Sequence, residues 1–463
     1  MNRPDPSGGT EPAAVESLNP ATLSAAAFVA LYSVLLLCIP TRLVVGAIGA
    51  PGAPANLLAM LGLLWWLCGT VGGQLHRGLT PARLTVAFFA SMVLASFAAG
   101  HLQGWYQPAD IRPRFGATRW YVADVPEMTA LLTSAADRGL LALAGWVGIA
   151  LLTADGLRSW GDLNKAINWL VGSATVVAVV GVIQYFTGLD ISGFISIPGL
   201  SAQGEFGGAL SRSDLNRIVS TSAHPIELGV AMAAMLPLAI HVGFRDKTAP
   251  SWLPALAIGL ASLMTVSRSA VIVAAAAMVV LILGWPARLR IMALILVPIF
   301  GVVGPVVLPG LLGTIRALFT NLGNDPSIEG RTSDYGLVTR LVLEQPFFGR
   351  GLFAWVPDVY RTLDNQVLVL LLEVGLVGAL AFFIMAGAGV VQGILVRLRA
   401  KDEVQRNAGL SISASLVGIS MSFVTFDALG FRQVAGLTFL LIGLGGAIKA
   451  ISDKDADSPT DAV

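Results

Sequence analysis

Apolar runs long enough to cross a bilayer recur along almost the whole of this chain, and that recurrence fixes its solvent before any motif is read. They fall at about 23–39, 55–71, 84–99, 139–153, 166–187, 226–243, 252–266, 270–285, 291–308, 366–393, 408–426 and 434–450. Roughly 20 residues of helix cover the hydrocarbon core, and inside it every backbone polar group must find a partner within the fold. The composition agrees: 55% hydrophobic and 12% charged, against about 25% charged in soluble domains. The pattern predicts an all-α, polytopic integral membrane protein of about twelve transmembrane helices with long extracytoplasmic loops. Runs 252–266 and 270–285 are read as two passes. A single helix over both would reach roughly 50 Å, too long for a core of about 30 Å, and both flanks are basic, with Arg245 and Lys247 before and Arg288 and Arg290 after.

Basic residues orient the chain. Arg77, Arg83, Arg158, Lys165, Arg245, Lys247, Arg288, Arg290, Arg397, Arg399, Lys401 and Arg406 fall in alternate short loops, which the positive-inside rule assigns to the cytoplasm. Both termini are then cytoplasmic: a tail over 1–22 rich in Pro, Gly and Glu, and a second over 451–463. The first 20 residues show no basic start followed by an apolar stretch, so the first helix is expected to be retained. Between the tails, 23–450 forms one membrane domain. Cys38 and Cys68 both fall inside predicted helices, so no disulfide framework is expected.

Three long segments, about 100–138, 188–225 and 309–365, are left outside, the last being the main extracytoplasmic loop. Unstructured loops of that length are uncommon, so short surface helices are expected in them. On this topology all five lysines are inside, and the basic residues outside are all arginines. A planar guanidinium donating in pairs suits a diphosphate better than an ammonium does. Trp105, Tyr106, Trp120 and Tyr121 in the first outer segment read as an interfacial aromatic belt.

Polar motifs gather at these outer segments. Arg217 precedes Ser220-Thr221-Ser222-Ala223-His224-Pro225 at the start of one apolar run, and Leu263-Met264-Thr265-Val266-Ser267-Arg268-Ser269 joins two others. Gly330-Arg331 and Glu344-Gln345-Pro346-Phe347-Phe348-Gly349-Arg350-Gly351 lead through Arg361 to Asp364-Asn365, then nine residues, Gly375, two more and Gly378. In order and placement, these motifs over about 205–385 resemble the O-antigen ligase and O-antigen polymerase superfamily of bacterial membrane glycosyltransferases. The family pattern begins with histidine where this chain has Asp364.

The resemblance implies transfer of a glycan from a polyprenyl (undecaprenyl) diphosphate carrier to a glycan or lipid acceptor outside the cytoplasmic membrane, with no cofactor and no metal. It places the chain in the bacterial cytoplasmic (inner) membrane. Diphosphate is a good leaving group, so the chemistry needs charge neutralisation for it and a base for the acceptor hydroxyl. Aspartate is ionised at neutral pH, with a reference pKa of about 3.9, and can fill the base role. Asp364 is therefore the candidate base and Asn365 the residue that orients the hydroxyl. Arg217, Arg268 and Arg331 are candidate diphosphate ligands, with His224, Arg350 and Arg361 as further substrate contacts.

Each has a plainer reading. Asp364 could simply cap the helix that starts near Gln366, His224-Pro225 could be only a helix start, and Arg268 could pair with Glu227 or Glu373. A transporter or flippase of lipid-linked sugars is the rival function. It fits the span count but not the lack of internal halves or the outer position of the polar motifs. A peptidoglycan-type membrane polymerase keeps the enzyme class and changes the substrate. Nothing points to nucleic acid.

Overall fold

The computed structural model describes residues 24–73, 78–106, 125–203, 211–212, 215–295, 326–357 and 359–457. The expected tail over 1–22, Trp120, Tyr121 and most of the predicted span 291–308 lie outside the described residues. The chain is a helical bundle. Its first five helices are α1 (Ala25–Cys38), α2 (Pro54–Val71), α3 (Pro81–Leu102), α4 (Val125–Gly156) and α5 (Trp160–Thr187). Then follow α6 (Pro225–Asp246), α7 (Leu253–Met264), α8 (Arg268–Gly284) and α9 (Pro326–Glu344). The last four are α10 (Gln366–Glu373), α11 (Gly375–Arg399), α12 (Glu403–Met421) and α13 (Arg432–Asp457). Residues 287–295 are helical too.

Local chemistry sets the starts. Ser24, Thr80 and Ser159 cap α1, α3 and α5 through their hydroxyls, and Pro at the first position of α2, α3 and α6 costs no hydrogen bond there. Among the described residues eight helices are long and apolar enough to cross a membrane, and Ala25–Cys38, Pro250–Met264 and Arg268–Gly284 are shorter apolar helices. The all-helical polytopic architecture expected from the sequence is therefore present.

Packing divides the bundle into centre and rim. The apolar window of α13 is 89% buried and that of α6 83%, whereas that of α2 is 22% buried, so α6 and α13 form the middle and α2 turns most of its surface to the hydrocarbon. Helix α13 packs on α4, α11 and α12, and α6 on α7, α8 and α12. Aromatic rings fill the join: Phe89 meets Phe382 at 5.4 Å, and Trp146 stacks on Phe439 at 5.0 Å. Where backbones cross, glycine is needed. A Cβ on Gly393 would lie 2.6 Å from the Gly409 carbonyl oxygen, and one on Gly409 would lie 2.5 Å from that of Gly393, the close approach that lets membrane helices bind by dispersion alone.

Two expectations change in detail. The span predicted at 366–393 is two helices, α10 and α11, parted at Val374 and Gly375. The outer segments hold structure as expected: α4 begins at Val125, well before the predicted 139, α9 lies within 309–365, and 188–225 carries a 3-10 turn at Ile191–Phe194. Its strand Ser201–Ala202 pairs antiparallel with Leu43–Val44, and Arg42 Nη2 donates to the Ser192 carbonyl at 2.6 Å, so this segment is tied to the chain leaving α1.

Candidate functional site

The segment before α6 is pinned from three directions. Gln184 Oε1 accepts from the amides of Val219 and Ser220 at 2.9 and 2.8 Å, and Ser220 holds φ +50. Thr221 Oγ1 donates to the Leu37 carbonyl at 2.6 Å, and Ser222 Oγ to Gln433 Oε1. Behind them Glu227, 1% exposed, accepts from the amides of Ala223 (2.8 Å) and Gln433 (2.9 Å) and from Thr41 Oγ1 (3.4 Å). The Ser-Thr-Ser run is thus a brace joining the end of α1 to the starts of α6 and α13.

His224 closes that run as the cap of α6. Its Nδ1 accepts from the Ile226 amide at 3.1 Å, so the neutral ring carries its proton on Nε2. Burial, and then the nearby Arg217 guanidinium, hold its pKa down at about 4. With Nδ1 engaged and Nε2 protonated, His224 is a hydrogen-bond donor and not a base.

Arg217, 8% exposed, donates from Nε to the Thr265 carbonyl at 2.9 Å. That bond brings the first polar motif onto the second. Val266 turns the chain at φ +49, and Ser267 Oγ caps α8 by accepting from the Ala270 amide, which leaves Arg268 as the first residue of the helix. Gly229 makes the contact possible, since a Cβ there would lie 2.4 Å from Thr265 Oγ1. Arg217 and the Arg268 backbone therefore share one corner of the bundle.

The third and fourth motifs are one structural unit. Arg350 and Gly351 donate their amides to the carbonyls of Leu372 and Glu373 at 3.0 and 2.8 Å, and Leu376 N donates to the Pro346 carbonyl at 2.8 Å. A Cβ on Gly349 would sit 2.2 Å from the Glu373 carbonyl carbon. Gly375 holds φ +69, and a Cβ there would sit 2.3 Å from the Phe347 carbonyl oxygen. The loop from Pro346 to Gly351 docks into the break between α10 and α11, and the glycines of both motifs are what admit it.

At the other end of α10 the cap is Asn365, not Asp364. Asn365 Oδ1 accepts from the amides of Val367 (3.0 Å) and Leu368 (3.4 Å). Asp364, half-buried beside it, has no hydrogen-bond or ion-pair partner among the described residues. Its charge is felt by the carboxyl of Asp427, in the turn between α12 and α13. Gln366 locks that turn to α10: its amide donates to the Phe426 carbonyl at 3.1 Å, and its Oε1 accepts from the Leu429 amide at 2.6 Å. Burial pushes the Asp427 carboxyl up to about 6, and the negative charge of Asp364 pushes it the same way against a bond from the Gly430 amide. The same turn reaches the arginine corner, because Phe431 packs on Phe426 at 5.2 Å and on the His224 ring at 6.1 Å.

The remaining candidates lie elsewhere or are occupied. The Arg350 guanidinium is 4.2 Å from the centre of the Trp105 ring, with Tyr360 at 5.5 Å and Trp355 at 5.8 Å, and its Nη1 donates to the Tyr360 hydroxyl at 3.3 Å. Arg361 pairs with the buried Asp334 of α9 at 2.5 Å. Arg331 is on α9, and its side chain lies outside the described residues. Trp105 and Tyr106, expected in an aromatic belt, instead pack within the protein: Trp105 covers Arg350, and the Tyr106 hydroxyl donates to the Arg350 carbonyl at 2.6 Å. Glu373 accepts from the Trp355 amide at 3.3 Å.

From the start of α7 into α11, the sequence matches a family model. Residues 253–383 match the family model of O-antigen ligase. This segment is of the O-antigen ligase superfamily. No curated protein matches the chain. The matched segment takes in Arg268, Arg331, Arg350, Arg361, Asp364 and Asn365. Arg217 and His224 precede it in sequence and are brought to it by the Thr265 bond. Asp427 follows it and belongs to no motif singled out above. Its one sequence signal is a carboxylate at the edge of an apolar run, the same signal that marks Asp364.

Proposed function

We propose that the chain transfers a glycan from a polyprenyl (undecaprenyl) diphosphate carrier to a glycan or lipid acceptor at the exoplasmic face of the cytoplasmic membrane, as a polysaccharide polymerase or O-antigen ligase. The observation that carries this reading is that the turn bearing Asp427, which feels the charge of Asp364, packs through Phe431 on His224, itself within reach of the Arg217 charge.

The roles follow from what each group can do. Arg217, Arg268 and Arg331 neutralise the diphosphate, whose negative charge grows as its bond to the anomeric carbon breaks. His224 Nε2–H donates to a phosphate or sugar oxygen. The acceptor hydroxyl oxygen forms the new bond to the anomeric carbon from the opposite side, which inverts it, and its proton passes to Asp364. Asp427, whose own carboxyl is pushed up to about 6, stands near it as a second proton acceptor close to neutral pH. Asn365 spends its oxygen on the α10 cap and keeps its amide N–H groups for the acceptor. Arg350 and Arg361, boxed by aromatics and paired with Asp334, hold the main outer loop in place around the substrate.

Purified chain in lipid bilayers, given a polyprenyl-diphosphate oligosaccharide and an acceptor, should yield longer glycans and free carrier diphosphate. Donor that stays intact with every acceptor offered, while a control transferase consumes it, would reject the reading.

A further inference from the structure

The turn that carries Asp427 also walls a half-enclosed cavity that the reaction above does not use. The cavity has a volume of about 60 Å³ between α1, the start of α2, α4, the 350s loop and the start of α13. Its lining is mostly apolar, with Leu36, Trp146, Phe353 and Ala435 among the walls, and three polar side chains interrupt it: Asn56, whose amide donates to the Pro51 and Leu141 carbonyls, Tyr32 and Arg432.

Arg432 carries a buried donor short of an acceptor, and Tyr32 brings a hydroxyl that makes no hydrogen bond among the described residues. Arg432 spends Nη1 on the Thr41 carbonyl, but its Nε is buried with no hydrogen-bond partner. Glu227, whose charge is felt at Arg432, has its oxygens engaged by Ala223, Gln433 and Thr41. Tyr32 is 2% exposed, and its hydroxyl has no hydrogen-bond partner among the described residues. It lies level with Gly436, one turn of α13 below Arg432, since a Cβ there would be 2.7 Å from the hydroxyl. Buried donors without partners carry a desolvation cost that native folds seldom leave uncompensated. A water molecule answers this poorly, because it needs two to four polar partners and most of the wall is hydrocarbon. An anion with a hydrocarbon chain answers it fully.

We propose that this cavity binds a lipid phosphate, with the anion on Arg432 and Tyr32 and the adjoining hydrocarbon against Leu36, Trp146, Phe353 and Ala435. The chemistry is shared by a polyprenyl diphosphate and by a phospholipid of the bilayer. Binding there does not depend on the transferase reading. It would set a lipid alongside the carboxylate pair, separated from it by the turn from Asp427 to Arg432.

The test is a lipid titration of the purified full-length chain by native mass spectrometry, with farnesyl diphosphate in one arm and phosphatidylglycerol in the other. Ala435→Phe fills the cavity without changing charge, Arg432→Gln removes the cation, and Tyr32→Phe removes one hydroxyl from an otherwise unchanged ring. The first two should weaken binding at least about tenfold and the third several-fold, in the arm whose lipid is the true occupant. Asp364→Asn should bind lipid as the parent chain does even if transfer is lost, which separates this site from the reaction. Thermal unfolding identifies any variant that fails to fold, and Tyr32→Phe, the isosteric change, then carries the comparison. Unchanged affinity for both lipids in folded Tyr32→Phe and Ala435→Phe overturns the proposal.

Discussion

Asp364, at the start of α10, lies near enough to Asp427, in the turn before α13, that charge on the first raises the proton affinity of the second. If this pair takes the acceptor proton, transfer should rise as pH passes upward through about 6, where Asp427 gives up its proton. In Asp427→Asn that acidic limb should disappear, because the carboxyl that titrates there is gone. A limb that stays in place would separate Asp427 from the base. The stability sign runs the other way. A raised carboxyl favours the fold below its unfolded pKa and loses that contribution as pH climbs to about 6, so Asp427→Asn should be the more stable chain at pH 7, by on the order of 1 to 3 kcal/mol. The difference should vanish near pH 4.

Replacing Asp364 removes the base without removing the cap. Asp364→Asn should keep the unfolding temperature and lower the rate of transfer by about 10² to 10⁴, measured as free carrier diphosphate released per unit time. Asn365→Ala does the opposite to the fold: two amides of α10 lose their acceptor, at a cost of about 1 kcal/mol, and thermal unfolding reads it.

Arg217 joins the first two polar motifs through the Thr265 carbonyl. Arg217→Lys keeps the charge but loses the planar fork, so donor affinity should fall roughly tenfold or more in equilibrium binding of a polyprenyl diphosphate. Equal affinity in Arg217→Lys and the parent would show that charge alone suffices there.

His224 should contribute nothing to the pH profile between 6 and 8, since its pKa is held near 4. His224→Asn, which can still cap α6, should leave the shape of that profile unchanged while lowering donor affinity. A displaced limb would return the histidine to the base role.

Gly375→Ala should destabilise by more than about 1 kcal/mol, because the residue holds φ +69 with Phe347 against it. Gly387→Ala is the control: nothing lies within 4 Å of its Cβ position, and it should be neutral or stabilising by thermal unfolding.

The assigned topology predicts that a cysteine in place of Thr362, an exposed residue, reacts with an impermeant thiol reagent on intact cells. Labelling only after permeabilisation would reverse the orientation of every helix.

Helices were legible in this chain because hydropathy is a direct record of the solvent a segment meets, and the runs from 23 to 285 and from 408 to 450 correspond to helices wherever they are described. The break at Gly375 was not, since a glycine inside an apolar run is tolerated in membrane helices and only the docking of Phe347 shows that this one turns the chain. The Asn365–Gly375–Gly378 spacing was visible, yet part of its meaning is mechanical: a cap at one end and a loop socket at the other. Asp427 escaped notice because no neighbouring residue marks it, and its place beside Asp364 depends on Gln366 bridging two segments more than sixty positions apart. Trp105 was assigned to the interface from its edge position, whereas its ring covers a cation contributed by a distant loop.

The half-helix α10 acts as a ruler. Its cap fixes one end and the Phe347 socket the other, so the interval between Asn365 and Gly375 admits neither gain nor loss. Inserting one residue would rotate the cap by about 100° relative to the socket and swing Asp364 away from Asp427, disarming the pair with no change to either carboxylate. Natural drift in this stretch should therefore change side chains freely while leaving its count untouched.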